Sequence, residues 1–425
     1  MAVVFLAASI LLLDWASPVI PRSGSVTAAY GIYSVFYLLF VVTHGVIVAS
    51  IIPFRASMTS VTPTALPAGI YSVMVIACWA STAGLLFLIG DRVIYQNVDF
   101  INDSFVVTRA RLNASRSEAG GVSSLFSVAG NLLQFCYFFT LTMGVYYYEL
   151  LSQAQRFRLA AWIALIAIAG SYVLGGRSIL SLAALAVCAT WTARIVAGRA
   201  SYSSMLSRRA VIRCGIGVGL TLMAMLYVFY ARANASALSS QKYLETFIAH
   251  LGGEVTQTYR ACEAGILCDI YNYAQLTVLY ITHGLWVLAE SYYHPDALPS
   301  MAPLLGGVLS IYSKIDAVGG QVAIYQFSGL FNSLPGSIFY IFGGGGVLFF
   351  SVLLGVVTGL SALYLHRSAS VVAVLAYVLV CVTMLISPVL SAFNAVMFVF
   401  IVLSMLTMVA LLFIVQYLRG ERRIS

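Results

Sequence analysis

The sequence predicts an all-α polytopic membrane protein, a bundle of ten to twelve transmembrane helices with two long loops on one face. Three observations predict it. Of its 425 residues, 61% are hydrophobic and 8% charged, with a mean hydropathy of +0.96, whereas a soluble domain carries roughly 25% charged residues. The apolar residues fall in continuous runs close to the length of about 20 that one crossing needs, not in the alternation of a membrane β-barrel. Arg and Lys are also shared unevenly between the two sets of connections those runs define. The net charge of +8 then follows from membrane orientation and calls for no nucleic-acid partner.

The first run, 2–21, has no basic segment before it and no clear cleavage site, so it reads as an uncleaved helix ending near Asp14, Trp15 and Pro21. Runs at 27–51, 67–90, 124–150, 159–174, 178–197 and 211–231 follow, then 336–364, 370–388 and 395–418, ten in all. The chain 1–425 reads as a single membrane domain. One set of connections holds twelve arginines, among them Arg55, Arg156, Arg194, Arg199 and Arg367, against two acids, Glu149 and Glu421. The opposite set holds ten basic residues against eleven acids. The first side is therefore cytoplasmic and carries both termini.

Two long connections lie on the other side, a first periplasmic loop at 91–123 and a larger one at 232–335, so the working face is expected there. Within the larger loop, 274–290 and 297–312 are apolar but short. If both crossed, the turn between them would be cytoplasmic, yet it holds no Lys or Arg. Short interfacial or re-entrant helices fit better, and a twelve-helix count would leave the termini unmoved.

Five of the seven cysteines sit in or beside apolar runs. Cys262 and Cys268, six apart in the external loop, can close a small disulfide in an oxidising compartment or remain two free thiols. A metal site would need more ligands than the nearby His250, so neither metal nor cofactor is expected. The cores of the runs are almost free of ionisable residues. His44 is the one deep candidate, and a lone histidine there is more often packed than part of a relay. No phosphate-binding loop occurs, which leaves the substrate itself as the energy source.

Arginine outnumbers lysine 20 to 2, and eight arginines lie on the outer side against the orientation rule. Arg177, in the tight turn Leu174-Gly175-Gly176-Arg177-Ser178, would sit at the lipid–water boundary, where its planar fork suits a lipid diphosphate or snorkels to lipid phosphates. Arg109, Arg111 and Arg116 crowd the first loop, Arg232 leaves the seventh run, and Arg260 neighbours Cys262. Each suits a diphosphate ligand or an ion-paired surface equally. His283, in Tyr280-Ile281-Thr282-His283-Gly284, is the expected base or substrate ligand, because imidazole exchanges protons near neutral pH. Glu254, Glu290 and His294 are rival bases. Tyr280 and Trp286 offer aromatic faces to sugars, or equally to a membrane interface. The run Gly343 to Gly346 permits close helix approach or plain small-residue packing.

The pattern resembles the Wzy-type O-antigen polymerases, oligosaccharide repeat-unit polymerases of bacterial inner membranes. The resemblance rests on the helix count, the two long loops, GGRS at 175–178, YITHG at 280–284 and FNSLPGSIFYIFGGGG at 331–346. It rests also on an R-x10-G spacing from Arg109 to Gly120; Arg232 and Arg260 have no such match. It implies a GT-C-like membrane glycosyltransferase that needs no divalent metal and joins undecaprenyl-diphosphate-linked oligosaccharide units by inverting displacement at the periplasmic face. A chain-length-determining co-polymerase and membrane lipids would be its partners. An O-antigen ligase or a lipid-linked oligosaccharide flippase are the alternatives.

Overall fold

The computed structural model describes residues 19–21, 26–55, 65–100, 124–174, 178–200, 238–251, 253–255, 265–291 and 332–419, with isolated positions at 8–9, 107, 219, 223, 226–227, 229–230, 233–234, 304–306 and 308. In chain order these form β1 (Val19–Pro21), α1 (Val26–Arg55), α2 (Ile70–Ile94), α3 (Leu125–Gln134), α4 (Tyr137–Tyr146), α5 (Gln153–Val173) and α6 (Ser178–Val196). Then come α7 (Ser240–His250), β2 (Gly253–Val255), α8 (Ile266–Ser291), α9 (Leu334–Ser368), α10 (Val371–Ile386) and α11 (Val396–Leu418). Seven spans among the described residues are long and apolar enough to cross a membrane: Val26–Ser50 of α1, α2, α3 and α4 taken together, α5, α6, α9 and α11. The chain is a multi-pass α-helical membrane protein.

Three expectations change. The end of the first run is not helical: Val19–Pro21 is a strand paired antiparallel with Gly253–Val255, with Val19 opposite Val255 and Pro21 opposite Gly253. Prolines at 18 and 21 restrict the backbone and remove amide donors, while Val and Ile between them favour extended chain. The segment expected as a short helix at 274–290 is the 26-residue α8, which starts at Ile266 and reaches about 39 Å at about 1.5 Å per residue. Its added turns are held by polar contacts, with the Ser240 hydroxyl donating to Asp269 at 2.5 Å and the Asn272 amide donating to Ser240 at 2.9 Å. The run at 370–388 gives α10, 16 residues long, short of a full crossing. Most of 2–18, 211–231 and 297–312 lies outside the described residues.

The fold divides into two compact units, each discontinuous in sequence. Unit 1 takes residues 1–43, 207–355 and 383–395. Its core joins Ala29, Tyr33, Phe36, Tyr37 and Phe40 of α1 to Leu285, Leu288 and Ala289 of α8 and Leu334 and Ile338 of α9. The α1 residues recur at helical spacing, one stripe of one face. A second cluster packs Leu244 and Ile248 of α7 against Leu276, Leu279 and Trp286 of α8. Within α9, Gly343 breaks the helix at φ 64° and ψ −164°, a backbone state that glycine adopts without Cβ strain.

Unit 2 takes residues 44–206, 356–382 and 396–425. In lipid no hydrophobic force drives helices together, so backbones must approach closely through small residues. A Cβ added at Gly84 of α2 would stand 2.3 Å from the Gln134 amide nitrogen and 2.7 Å from the Gly130 carbonyl. One at Gly170 of α5 would meet the Gln134 side-chain nitrogen at 2.0 Å. Polar caps finish these helices: Ser124 accepts the Ser127 amide ahead of α3, and Ser152 with Gln155 forms a capping box before α5.

Candidate functional site

Three stretches far apart in sequence meet in unit 1: Tyr280 to Trp286 on α8, Asn332 to Ser337 at the start of α9, and the connector Ser387 to Asn394 between α10 and α11. The connector is irregular backbone enclosed by protein, with Ser387, Pro388, Ser391 and Ala392 all buried. In apolar surroundings each amide and carbonyl there needs a partner. The Leu334 amide donates to the Ser387 carbonyl at 2.8 Å, and the Ser391 amide to the Asn332 carbonyl at 2.6 Å. The Tyr33 hydroxyl donates to the Pro388 carbonyl at 2.8 Å, and the Ser391 hydroxyl to the Leu304 carbonyl at 3.1 Å. Ser387 donates to the Met384 carbonyl at 2.7 Å, so Tyr37 is the donor in its 2.8 Å bond to Ser387.

Ser333 starts α9. Its hydroxyl accepts the Gly336 amide at 3.1 Å and donates to the Gly284 carbonyl at 3.4 Å. Gly284 lies so close that a Cβ there would stand 3.1 Å from Ser333 Cβ and from the Val389 carbonyl oxygen. The two segments YITHG and FNSLPGS, expected from sequence to matter separately, are therefore packed on each other.

His283 precedes that contact and is fully buried. Its Nδ1 lies 2.6 Å from the Tyr280 carbonyl, which makes Nδ1 the protonated nitrogen and leaves the lone pair on Nε2. Burial drives the imidazole down to about 4, against the smaller opposing pull of the Tyr280 and Leu279 carbonyls, so the ring is neutral at pH 7. Tyr280 is half-buried, its ring 5.4 Å from that of His283 and 6.1 Å from Phe229. Trp286 is buried in the α7–α8 cluster, and its indole nitrogen has no hydrogen-bond partner among the described residues. Glu254 is exposed on β2 opposite Ile20, and Glu290 lies in the last turn of α8. Arg177, Arg109, Arg232, Arg260, His294 and Cys262 lie outside the described residues. Cys268 is disulfide-bonded, whereas Cys78, Cys136 and Cys381 are free thiols. Among the described residues no cluster of His, Cys, Asp or Glu could hold a metal ion.

Two groups escaped sequence reasoning. Tyr33, Tyr37 and Ser387 fall inside the apolar runs 27–51 and 370–388, where only the Ser387-Pro388 interruption is a signal, and Asn332 falls in the segment 331–346 with no role of its own. Asp91 and Arg92 counted as loop charges, but they end α2 and are 1% and 4% exposed. Asp91 accepts hydrogen bonds from Ser124 and, at 2.9 Å, from Gln96, with Arg92 at 3.5 Å. One carboxylate thus ties together both ends of the 91–123 loop.

Compared with family models, curated proteins and solved structures, the chain matches none of them.

Proposed function

We propose that the protein is a glycosyltransferase of the bacterial inner membrane that polymerises undecaprenyl-diphosphate-linked oligosaccharide units at the periplasmic face, with both termini cytoplasmic. The observation that carries the reading is the contact of Gly284 with Ser333, which joins the two segments through which the chain resembles O-antigen polymerases. The disulfide-bonded Cys268 supports it too, since such bonds persist in oxidising compartments.

In this reading Arg177, with Arg109, Arg232 and Arg260, holds the donor diphosphate and stabilises the charge that grows on it as the anomeric carbon–oxygen bond breaks. A hydroxyl of the acceptor unit attacks that carbon from the opposite face and loses its proton to a base, so configuration inverts. His283 supplies that base as a neutral imidazole, and movement of α8 admits the acceptor to it. Glu254, already exposed, and Glu290 are the rival carboxylates. Tyr280, half-buried at the edge of the cluster, is the first aromatic face that a sugar reaches, and Trp286 and His294 are further substrate ligands in this reading. A co-polymerase sets chain length.

The test is to incubate purified protein in nanodiscs with lipid-linked repeat units. A ladder of polymer is expected, and substrate recovered intact overturns the proposal in favour of transport. Arg177→Ala should slow the ladder about 100-fold. Comparison of His283→Gln with Glu254→Gln identifies the base by which variant abolishes turnover while substrate binding persists.

A further inference from the structure

One end of unit 2 gathers more cations than carboxylates. It is the end where α4 stops, α5 begins and α6 turns back. The last turn of α6 closes on Gly198 at φ 72°, with the Arg199 amide bonded to the Arg194 carbonyl at 2.8 Å. This left-handed reversal throws Arg199 back onto the end of α4. There its guanidinium donates to the Tyr146 carbonyl at 3.1 Å and lies 4.6 Å from the centre of the Tyr146 ring and 4.8 Å from that of Tyr147. Arg194, 2% exposed, donates to the Val145 carbonyl at 3.0 Å, pairs with Glu149, and lies 4.7 Å from the centre of the Trp191 ring. The two arginines thus satisfy carbonyls that α4 leaves open at its C-terminus.

That role does not use all of their donors. The Tyr146 hydroxyl, the Arg194 Nε–H and the Trp191 indole N–H are buried and have no hydrogen-bond partner among the described residues. Tyr146 itself is fully buried, and the charges of both Arg199 and Arg194 act on its phenol. Arg156 adds a third guanidinium, 4.1 Å from the centre of the Tyr148 ring. Three cations thus stand near one carboxylate, Glu149, beside three buried groups that can each donate. A group that only accepts hydrogen bonds and carries negative charge complements them.

We propose that this end of unit 2 binds a phosphate-type oxyanion, carried by the headgroup of an anionic phospholipid in the adjoining leaflet. The apolar lengths of α5 and α6 put the cluster at the end of two membrane crossings, where lipid phosphates lie and where basic recesses between helices recognise anionic headgroups. Arg199, like Arg156, is half-buried, and movement of the Arg199 side chain off the Tyr146 ring opens the phenol to the phosphate. The site is independent of the proposed glycosyl transfer, and none of its residues belongs to that mechanism.

The experiment titrates purified full-length protein in detergent with phosphatidylglycerol, phosphatidylcholine or inorganic phosphate, reading binding by native mass spectrometry and by the rise in melting temperature. Phosphatidylglycerol is expected to bind more tightly than phosphatidylcholine. Tyr146→Phe, which keeps the ring and removes only the hydroxyl, should weaken it about tenfold, the value of one charge-assisted hydrogen bond. Arg199→Gln should weaken it at least as much, whereas Arg158→Gln, at an exposed position on α5, should change it little. Competition by millimolar phosphate alone, without preference between the two lipids, would assign the site to a free anion and overturn the lipid assignment. Equal binding of both lipids without phosphate competition, or an unchanged affinity in Tyr146→Phe, overturns the site.

Discussion

Both units interrupt a helical path in apolar surroundings, and they repair the break differently. In unit 2, α3 and α4 are separated only by Phe135 and Cys136, and local bonds close the gap: Cys136 to Leu133 at 3.1 Å and Phe138 to Phe135 at 3.0 Å. The neighbouring helices then press in through Gly84 and Gly170. In unit 1 the break after α10 runs from Ser387 to Ala395, and local turns bond only part of it, with the Val389 and Leu390 amides on the Ile386 carbonyl and the Ala395 amide on that of Ala392. The Ser387 and Pro388 carbonyls, the Ser391 amide and the Ser387 hydroxyl are bonded instead by Leu334, Tyr33, Asn332 and Tyr37 from other elements. A short break is an internal matter for one helix, whereas a long one recruits polar partners from several. Polarity accumulates where breaks are long, and the candidate site lies at such a place.

That contrast can be broken at its strongest point. Gly84→Ala in unit 2 puts a methyl group against backbone atoms that cannot rotate away, and a loss of more than about 3 kcal/mol is expected, read as collapse of the melting temperature or of monodisperse yield. Unit 1 should answer to pH instead. His283 titrates in the folded state below the ordinary 6.5, so unfolded chains take up its proton first. Stability is complete above about pH 6.5 and falls as pH drops toward 4, by about 3 kcal/mol in all. Melting curves between pH 7.5 and 4.5 should show this slope, and His283→Gln should flatten it.

Smaller changes sharpen the comparison. Gly284→Ala meets Ser333 and two carbonyls at 3.1 to 3.2 Å, close enough to cost about 1–2 kcal/mol but soft enough to fold. Tyr37→Phe removes one donor from the connector and should cost about 1 kcal/mol. The smallest effect has the opposite sign. Gln134 is fully buried, and neither its amide nitrogen nor its amide oxygen has a partner among the described residues. Gln134→Leu should therefore be neutral or raise stability by up to about 1 kcal/mol, measured by thermal melting at constant detergent. Destabilisation as large as that of Tyr37→Phe would mean that unit 2 also depends on polar pairing in its interior.

The apolar runs were legible because membrane crossing selects residue types one position at a time. The helices α1, α2, α6, α9 and α11 begin and end within a few residues of their runs. The breaks at Gly343 and at Phe135 were not legible, since glycine and aromatic residues suit continuous helices in lipid as well as broken ones. Charges misled in a particular way. Arg194, Arg199, Asp91 and Arg92 fall in connections or at helix ends and read as solvated, yet they cap α4 or tie a loop, roles set by neighbours dozens of residues away. Of the candidate site, YITHG and FNSLPGS were visible as segments, but the contact of Gly284 with Ser333 and the part played by Ser387 are tertiary facts that no local pattern encodes.

The ribbon between Val19–Pro21 and Gly253–Val255 has a consequence for biogenesis. Its first strand leaves the ribosome more than two hundred residues before its second, an interval of roughly ten to fifty seconds at about 5–20 residues per second. Throughout that time the edge of the first strand stays open, while several crossings enter the bilayer behind it. A chain arrested before residue 253 would carry that open edge permanently, and quality-control proteases that survey extended segments would meet it there.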